Sequence, residues 1–216
     1  MKNINEIIKI LQKEYPQAKI ALNFSNPLEL LVATILSAQC TDERVNKVTK
    51  ELFKKYKTVD DYANADIKKF EQEIKPTGFY RMKAKNIINA AKIIKEKFNG
   101  KVPDTMEDLM SLPGVARKTA NVVLSNAYGK VEGIVVDTHV RRLSYRIGLT
   151  KNTDPNKIEQ DLMKIVPKDK WFIFPYLLID HGRKICSARK PLCEECVINK
   201  YCKKEGVKKK KWKKLL

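Results

Sequence analysis

The chain has 216 residues, of which 43% are hydrophobic and 32% are charged, so it contains enough apolar sequence to bury one or two compact cores. Its longest near-continuous apolar runs, residues 30–36 and 171–179, span nine residues or fewer, whereas a helix that crosses a bilayer needs about 18 or more. The composition therefore argues against a membrane-spanning protein and predicts a soluble globular one.

The chain is strongly basic. It carries 44 Lys and Arg residues against 25 Asp and Glu residues, a formal net charge of +19. A field of this sign attracts polyanions, and nucleic acid is the leading candidate partner. A lysine-biased proteome or a solubility requirement would produce the same composition. Part of the excess is also local, because residues 203–216 contain eight lysines and one glutamate.

The first residues, MKNINE, place acidic and amide side chains where a secretory signal would have a basic stretch followed by an apolar one. This predicts a cytoplasmic location, on the nucleoid if the source is bacterial or archaeal. We also expect the protein to act as a monomer.

Apolar residues recur at spacings of three and four along the chain, and the one β-branched run, residues 134–136, is too short to found a sheet. The pattern predicts an all-α fold. A first amphipathic helix, with its apolar positions in residues 4–11, should end before Pro16. Asn26-Pro27 opens a second helix, which we expect to run to about Gln39. Because this second helix is apolar nearly all round, it should lie at the centre of a bundle.

The later helices are marked by their caps and breakers. Gly100 is suited to end a long helix over residues 79–98, Thr105 and Asp108 form a capping-box pattern, and Asp137 occupies an N-cap position after the apolar run. Five further helices are predicted. One begins at Thr41 or Asp42, a shorter one lies around residues 67–74, and a third covers residues 117–128. A fourth begins after Asp154, and Pro175 would break or delay the fifth.

Four cysteines lie close together near the C-terminal end. Cys186, Cys193, Cys196 and Cys202 are separated by six, two and five residues, while Cys40 lies apart and is expected to be a small buried side chain. Without any sign of an oxidising compartment, such a cluster indicates metal binding. Zinc usually takes two short Cys-x2-4-Cys pairs, whereas four thiolates in one compact segment suit a [4Fe-4S] cluster. We favour the cluster over zinc, in a structural rather than a redox role.

Two features predict phosphate contacts. Arg189 and Lys190 are adjacent cations in the loop between the first two cysteines of the cluster. The turn at residues 112–115 connects two predicted helices, and its backbone N–H groups can hold a phosphate oxygen without reading sequence. The candidate DNA contacts in and after this turn are Leu112, Gly114, Val115 and Ala116.

Three motifs together resemble the endonuclease III family of DNA glycosylases and abasic-site lyases, in the helix-hairpin-helix superfamily. They are LPGVARKTA at residues 112–120, VDTH at residues 136–139 and the Cys-x6-Cys-x2-Cys-x5-Cys ending, and ILSAQCTD at residues 35–42 is similar to a further family motif. The resemblance covers nearly the whole chain. It implies a two-lobed fold with a six-helix barrel at residues 22–132, an iron–sulfur lobe of residues 1–21 and 133–202, and a basic tail at residues 203–216.

The resemblance also implies a bifunctional repair enzyme that removes oxidised pyrimidines from duplex DNA and then cleaves the abasic site by β-elimination. Lys118 would attack C1′ of the damaged nucleotide, and Asp137 would accept a proton and stabilise developing positive charge. Gln39 would fill the gap left by the rotated nucleotide, and Phe79, where the family usually has leucine, would act as a wedge. Ala116 replaces a usual second glycine, so we expect it to lie already in the helix.

Two other functions remain open from the sequence. A mismatch adenine glycosylase has a similar fold and cluster but lacks a nucleophilic lysine at the hairpin, so Lys118 argues against it. A non-enzymatic DNA-binding module would use the hairpin and the cluster only to grip phosphates. Formation of a covalent imine with abasic DNA distinguishes the bifunctional enzyme from both.

Overall fold

The structure, a computed structural model, describes residues 3–207. These residues form helices, turns and connecting loops and contain no β-strand, which confirms the predicted all-α class. Within the same range, no helix combines the length and the apolar character needed to cross a membrane. The lysine-rich stretch from Lys208 onward, part of the predicted basic tail, lies outside the described residues.

Eleven α-helices follow one another between residues 3 and 207. They are α1 Ile4–Glu14, α2 Pro27–Leu36, α3 Asp42–Lys55, α4 Val59–Ala63, α5 Ile67–Ile74, α6 Tyr80–Lys97, α7 Met106–Met110, α8 Arg117–Ala127, α9 Thr138–Ile147, α10 Pro155–Ile165 and α11 Ile173–Lys184. Short 3-10 helices cover Lys75–Thr77, Lys168–Lys170 and Asn199–Tyr201.

The helices divide into two compact units. One unit is Ile20–Glu132, and the other combines Met1–Lys19 with Gly133–Leu216. Helix α1 therefore belongs with the C-terminal half of the chain, while α2 to α8 form a unit from one continuous stretch. The Ile20–Glu132 unit contains the predicted hairpin, and the other unit contains the four clustered cysteines.

Helix α2 is the centre of the Ile20–Glu132 unit. Every residue from Leu30 to Leu36 is buried, and the helix packs against α3, α6 and α8. Asn26 caps it as predicted, because its side chain accepts a hydrogen bond from the Glu29 N–H at 2.9 Å. A helix that is apolar on all sides has no face for water, and its predicted central position is confirmed.

The predicted end of α2 near Gln39 is wrong. The last helical residue is Leu36, and Gln39 has a left-handed backbone with a φ of 53°. The Ser37 hydroxyl donates to the Thr34 carbonyl at 2.8 Å, and the Lys83 ammonium donates to the Leu36 carbonyl at 2.7 Å. These bonds satisfy carbonyls that another helical turn would have used, so the chain leaves the helix before Gln39.

Helix α4 has no counterpart among the predicted helices. Its five residues are too few to display a helical apolar period. A capping box starts it: the Asp61 N–H donates to the Thr58 hydroxyl, and the Asp61 carboxylate accepts from the Thr58 N–H at 2.8 Å. The helix therefore depends on its cap and on its packing against α6.

In the second unit, α11 packs against α1 and α9, and α9 also packs against α10. Pro175 is the third residue of α11, which begins at Ile173. A proline in the first turn removes no intrahelical hydrogen bond. The helix therefore passes through Pro175 without the predicted break.

An unpartnered hydroxyl lies in the core of the Ile20–Glu132 unit. Tyr62 is fully buried, and its ring stacks on Tyr56 at 5.2 Å and meets the edge of Phe70 at 5.9 Å. Its hydroxyl oxygen has no hydrogen-bond partner among the described residues. A buried hydroxyl without a partner keeps its desolvation cost uncompensated.

We predict that Tyr62→Phe raises the free energy of unfolding by about 1 kcal/mol, because it removes that uncompensated group. Tyr56→Phe is the matched control, since the Tyr56 hydroxyl donates to Glu73 at 2.8 Å, and it should lower the free energy of unfolding by about 1 kcal/mol. Urea titration measures both. A Tyr62→Phe protein destabilised as much as Tyr56→Phe would contradict this assignment.

Candidate functional site

The turn between α7 and α8 is anchored by two buried side chains. Leu112 is 2% exposed and Val115 is 7% exposed, and the Val115 N–H closes the turn on the Leu112 carbonyl at 3.1 Å. Gly114, between them, is exposed. The apolar residues of the predicted phosphate-binding turn therefore fix it to the core, while its backbone at Gly114 faces outward.

Position 114 requires glycine for two reasons, its backbone conformation and the close approach of Asn86. Its φ is +78°, and a Cβ added there would lie 2.8 Å from the Asn86 side-chain nitrogen and 3.0 Å from the Asn86 Cβ. An L-residue is strained at such a φ, and the Asn86 Cβ cannot swing away because it is attached to the α6 backbone. Only glycine fits this turn without a shift of α6 or of the hairpin.

The expectation that Ala116 already lies in the helix is wrong. Ala116 is the N-cap of α8, with extended backbone angles of φ −95° and ψ 170°. Alanine is comfortable there because φ is negative, so the absence of a second glycine creates no strain. Its side chain cannot cap the helix, and the first N–H groups of α8 have no intrahelical partner. Those groups are the ones an anionic oxygen would use.

Lys118 follows directly as the second residue of α8. Its side chain is exposed and makes no hydrogen bond or ion pair with any residue in the described range. An unpaired amine next to the free N–H groups of a helix N-terminus can reach a reactant held there. This is the geometry that a nucleophilic lysine needs.

Gln39 and Phe79 share an unusual backbone conformation in the same unit. Both are exposed non-glycine residues with positive φ, 53° for Gln39 and 47° for Phe79. Phe79 is 60% exposed and Met82, one turn later, is 63% exposed. A left-handed L-residue costs about 1–2 kcal/mol, and such strain concentrates where a side chain must be presented to a ligand.

Asp137 lies in the other unit and caps α9 as predicted. Its Oδ1 atom accepts a hydrogen bond from the Val140 N–H at 2.8 Å. The side chain is half-buried, and its Oδ2 atom accepts no hydrogen bond from the described residues. The cap therefore fixes the carboxylate while leaving one oxygen available for chemistry.

The four clustered cysteines line a single cavity. Its other walls include the apolar side chains of Leu143, Ile147, Ile185, Leu192 and Ile198. Four thiols that line one cavity provide the four cysteine ligands that a [4Fe-4S] cluster takes.

Two arginines of α9 hold the backbone around the first cysteine. Arg142 donates to the Cys186 carbonyl at 3.0 and 3.1 Å. Arg146 donates to the Ser187 carbonyl at 2.7 Å, to the Ala188 carbonyl at 2.8 Å and to Cys186 Sγ at 3.3 Å. The Arg146 guanidinium thus places a positive charge beside the Cys186 sulfur. Neither arginine is predicted from the sequence, although their spacing of four on a predicted helix is a local signal.

A buried histidine contacts a second cysteine. The His181 Nε2 atom lies 3.3 Å from Cys196 Sγ, and its Nδ1 atom lies 2.9 Å from the Tyr15 hydroxyl. Burial lowers the pKa of His181 to about 4, so the ring is neutral, and burial raises the pKa of Tyr15 to about 12. A Tyr15 hydroxyl that donates to Nδ1 leaves the Nε2 proton directed at the sulfur. No local pattern predicts this pair, which is 166 residues apart in the chain.

Arg189 and Lys190 are exposed on a braced loop. The Ser187 hydroxyl donates to the Lys190 carbonyl at 2.7 Å, and the Leu192 N–H donates to the Ile185 carbonyl at 3.0 Å. The loop thus presents two adjacent cations on a fixed backbone. Cys40, expected to be buried, is instead only half-buried, because it follows the early end of α2.

Two family models match the chain. The model described as HhH-GPD superfamily base excision DNA repair protein matches residues 32–168. The model for the iron-sulfur binding domain of endonuclease III matches residues 186–202. The second range begins at Cys186 and ends at Cys202, so it spans the four cysteines that line the cavity.

Known proteins of similar length agree with these models. Endonuclease III of Synechocystis sp. is 56% identical over 197 residues, covering 91% of this chain and 90% of that protein. Endonuclease III of Bacillus subtilis is 46% identical over 215 residues, covering 98% and 97%. A non-covalent endonuclease III–DNA complex superimposes with a TM-score of 0.90 at 45% identity, covering 94% of this chain and 95% of that chain. A trapped covalent endonuclease III–DNA intermediate gives the same values. The chain therefore belongs to the endonuclease III family of DNA glycosylases and abasic-site lyases, and its cofactor is a [4Fe-4S] cluster.

Proposed function

We propose that this chain excises oxidised pyrimidines from duplex DNA and then cleaves the abasic strand, with Lys118 as the nucleophile. The observation that carries the proposal is the exposed and unpaired Lys118 side chain in the first turn of α8, directly after the glycine hairpin. We also propose that the protein works as a monomer in the cytoplasm, on chromosomal DNA.

The hairpin would position the DNA backbone without reading its sequence. The first N–H groups of α8 lack a side-chain cap, and Gly114 presents no Cβ that would keep a phosphate away. A phosphate oxygen bound there gains hydrogen bonds and the favourable end of the helix dipole. The strand would therefore be held within reach of the Lys118 amine.

Access to the damaged base requires that the nucleotide rotate out of the duplex. Rotation costs a few kcal/mol of stacking and pairing, and side chains that enter the duplex offset this cost. Gln39 and Phe79 are suited to this role, because both side chains are exposed and both residues have a strained backbone with positive φ. An amide can pair with the unpartnered base, and an aromatic ring can separate a base step.

The chemistry at Lys118 proceeds in two stages. The neutral amine attacks C1′, the bond from C1′ to the base breaks, and the base leaves with the electron pair and takes up a proton. Loss of the amine proton and opening of the sugar ring then give an imine between Lys118 and C1′. The imine acidifies the C2′ hydrogen; its removal expels the 3′ phosphate and cleaves the strand.

Asp137 is suited to both stages through its unused oxygen. Its Oδ1 atom is occupied by the α9 cap, which fixes the carboxylate in place. We propose that its Oδ2 atom accepts a proton and stabilises the positive charge that develops on the sugar as the base departs.

The four cysteines would hold the cluster in a structural role. Bound to Cys186, Cys193, Cys196 and Cys202, the cluster supplies a structural cross-link for the segment that they span. Arg146 holds the backbone at Ser187 and Ala188, and the loop then presents Arg189 and Lys190 to phosphates. This lobe would bind DNA and take no part in proton transfer.

We predict that Lys118→Ala abolishes the adduct that borohydride traps between the protein and abasic DNA, and lowers strand cleavage by at least about 10³-fold. Lys92→Ala, which removes an exposed lysine of α6, should leave both unchanged. Denaturing electrophoresis measures the adduct and the product. An adduct that persists in Lys118→Ala would assign the imine to another amine, and no cleavage by the native protein would favour a binding module.

Asp137→Asn should slow excision by about 10²-fold or more while DNA affinity is unchanged. Asparagine caps helices as well as aspartate does, so this variant keeps the α9 cap and loses only the carboxylate. Asp154→Asn is the control, since Asp154 caps α10 by accepting from the Lys157 N–H at 3.0 Å. Single-turnover kinetics measure the excision rate. Equal excision rates for Asp137→Asn and the native protein would show that Asp137 has no role in the mechanism.

Gly114→Ala should weaken binding to abasic DNA and lower stability by about 1–2 kcal/mol, because the new Cβ meets both a positive φ and Asn86. Gly129→Ala introduces a similar φ conflict, at +66°, with nothing within 4 Å of the new Cβ. It should therefore lower stability without weakening DNA binding. Fluorescence anisotropy and urea titration separate the two effects, and equal affinity in both variants would exclude the hairpin as a DNA contact.

A further inference from the structure

A buried lysine lies in the first turn of α6. Lys83 is 4% exposed, and its ammonium donates to the Leu36 carbonyl at 2.7 Å and to the Thr77 carbonyl at 2.8 Å. No carboxylate among the described residues forms an ion pair with it. Burial accordingly lowers the pKa of Lys83. A buried cation without an acidic partner is unfavourable, so its two carbonyl contacts must hold it there.

The Leu36 and Thr77 carbonyls that Lys83 binds each lie at the end of a helical segment. Leu36 is the last residue of α2, three residues before Gln39, and Thr77 is the last residue of the 3-10 helix, two residues before Phe79. A cation is favoured at the carbonyl end of a helix. One side chain therefore binds the carbonyls at the ends of two helical segments that are distant in sequence.

Both segments need such a constraint. Gln39 and Phe79 are exposed residues with φ of 53° and 47°, and their side chains have little core contact to hold them. Strained left-handed residues persist only where the surrounding structure fixes them. In each segment Lys83 binds a carbonyl that lies only two or three residues before the strained residue.

We infer that Lys83 is a positioning residue that holds the segments of Gln39 and Phe79 at a fixed separation, so that both side chains enter one duplex together. The inference rests on the proposed function, because it takes these two residues as the ones that enter DNA. Because Lys83 keeps both segments ordered in the free protein, no binding free energy is spent on ordering them when DNA binds. That free energy remains available for rotating the nucleotide out of the duplex. The DNA-facing residues are thus positioned by a charge that DNA never contacts.

Lys83→Met tests the inference, because methionine keeps much of the side-chain length and removes the charge and the donors. Single-turnover excision of an oxidised pyrimidine paired in a duplex should fall by up to about a hundredfold. Cleavage of a preformed abasic site in the same duplex should remain near the native rate, because rotation costs least where no base must be unpaired. Lys92→Met, nine residues later on α6 and exposed, is the matched control and should change neither rate.

Hydrogen exchange measures directly whether the segments of Gln39 and Phe79 stay ordered. Hydrogen exchange at the amides of residues 37–41 and 77–82 should become faster in Lys83→Met, while α8 keeps its protection. In combination with Phe79→Ala, the loss of excision should be smaller than the product of the separate losses, since Lys83 acts through the segment of Phe79. If Lys83→Met does not fold, Lys83→Gln retains one donor group, and the same ratio of excision to cleavage is measured.

The outcomes separate this inference from the proposed function. Equal losses of excision and abasic-site cleavage, or unchanged exchange in both segments, would overturn the positioning role of Lys83. Absence of excision by the native protein would instead overturn the proposed function. The exchange experiment would then still decide whether Lys83 holds the two segments.

Discussion

The candidate site residues Gln39, Phe79, Gly114, Lys118 and Asp137 lie in connections between helices or in the first turn of a helix, where backbone groups lose their intrahelical partners. The free carbonyls at the end of a helix and the free N–H groups at its start must be satisfied or left for a ligand. Lys83 satisfies carbonyls before Gln39 and Phe79, and Arg146 satisfies carbonyls before Arg189. At the start of α8 no side chain does so. The same rule thus gives braced loops at some helix ends and a candidate anion site at another.

The positive charge of the chain acts in two ways. Most lysines are exposed and contribute to the field that attracts a polyanion. Lys83, Arg142 and Arg146 instead turn inward and donate to carbonyl oxygens. Such contacts are directional, so they fix where a loop lies, whereas the surface field only raises the local concentration of DNA. The distinction explains how a lysine-rich chain can have both nonspecific affinity and a defined site.

Local signals were predictable from the sequence, and distant contacts were not. The caps by Asn26, Asp137 and Asp154 lie three residues from their partners, and the cysteine spacing is equally local. Lys83 meets the Leu36 carbonyl across 47 residues, a separation that periodicity does not reveal, and that contact also accounts for the early end of α2. The roles of Lys118 and Asp137 come from a family resemblance, since an exposed lysine and a capping aspartate are common in any helical protein.

The proposed chemistry depends on one covalent bond, between the Lys118 amine and C1′ of the sugar. Mass spectrometry of the borohydride-reduced adduct of the native protein with abasic DNA tests it directly. Peptide mapping should place the sugar remnant on Lys118 Nζ, in the first turn of α8, and on no other lysine. A remnant on another lysine or on the N-terminal amine would contradict the account, even if strand cleavage were efficient.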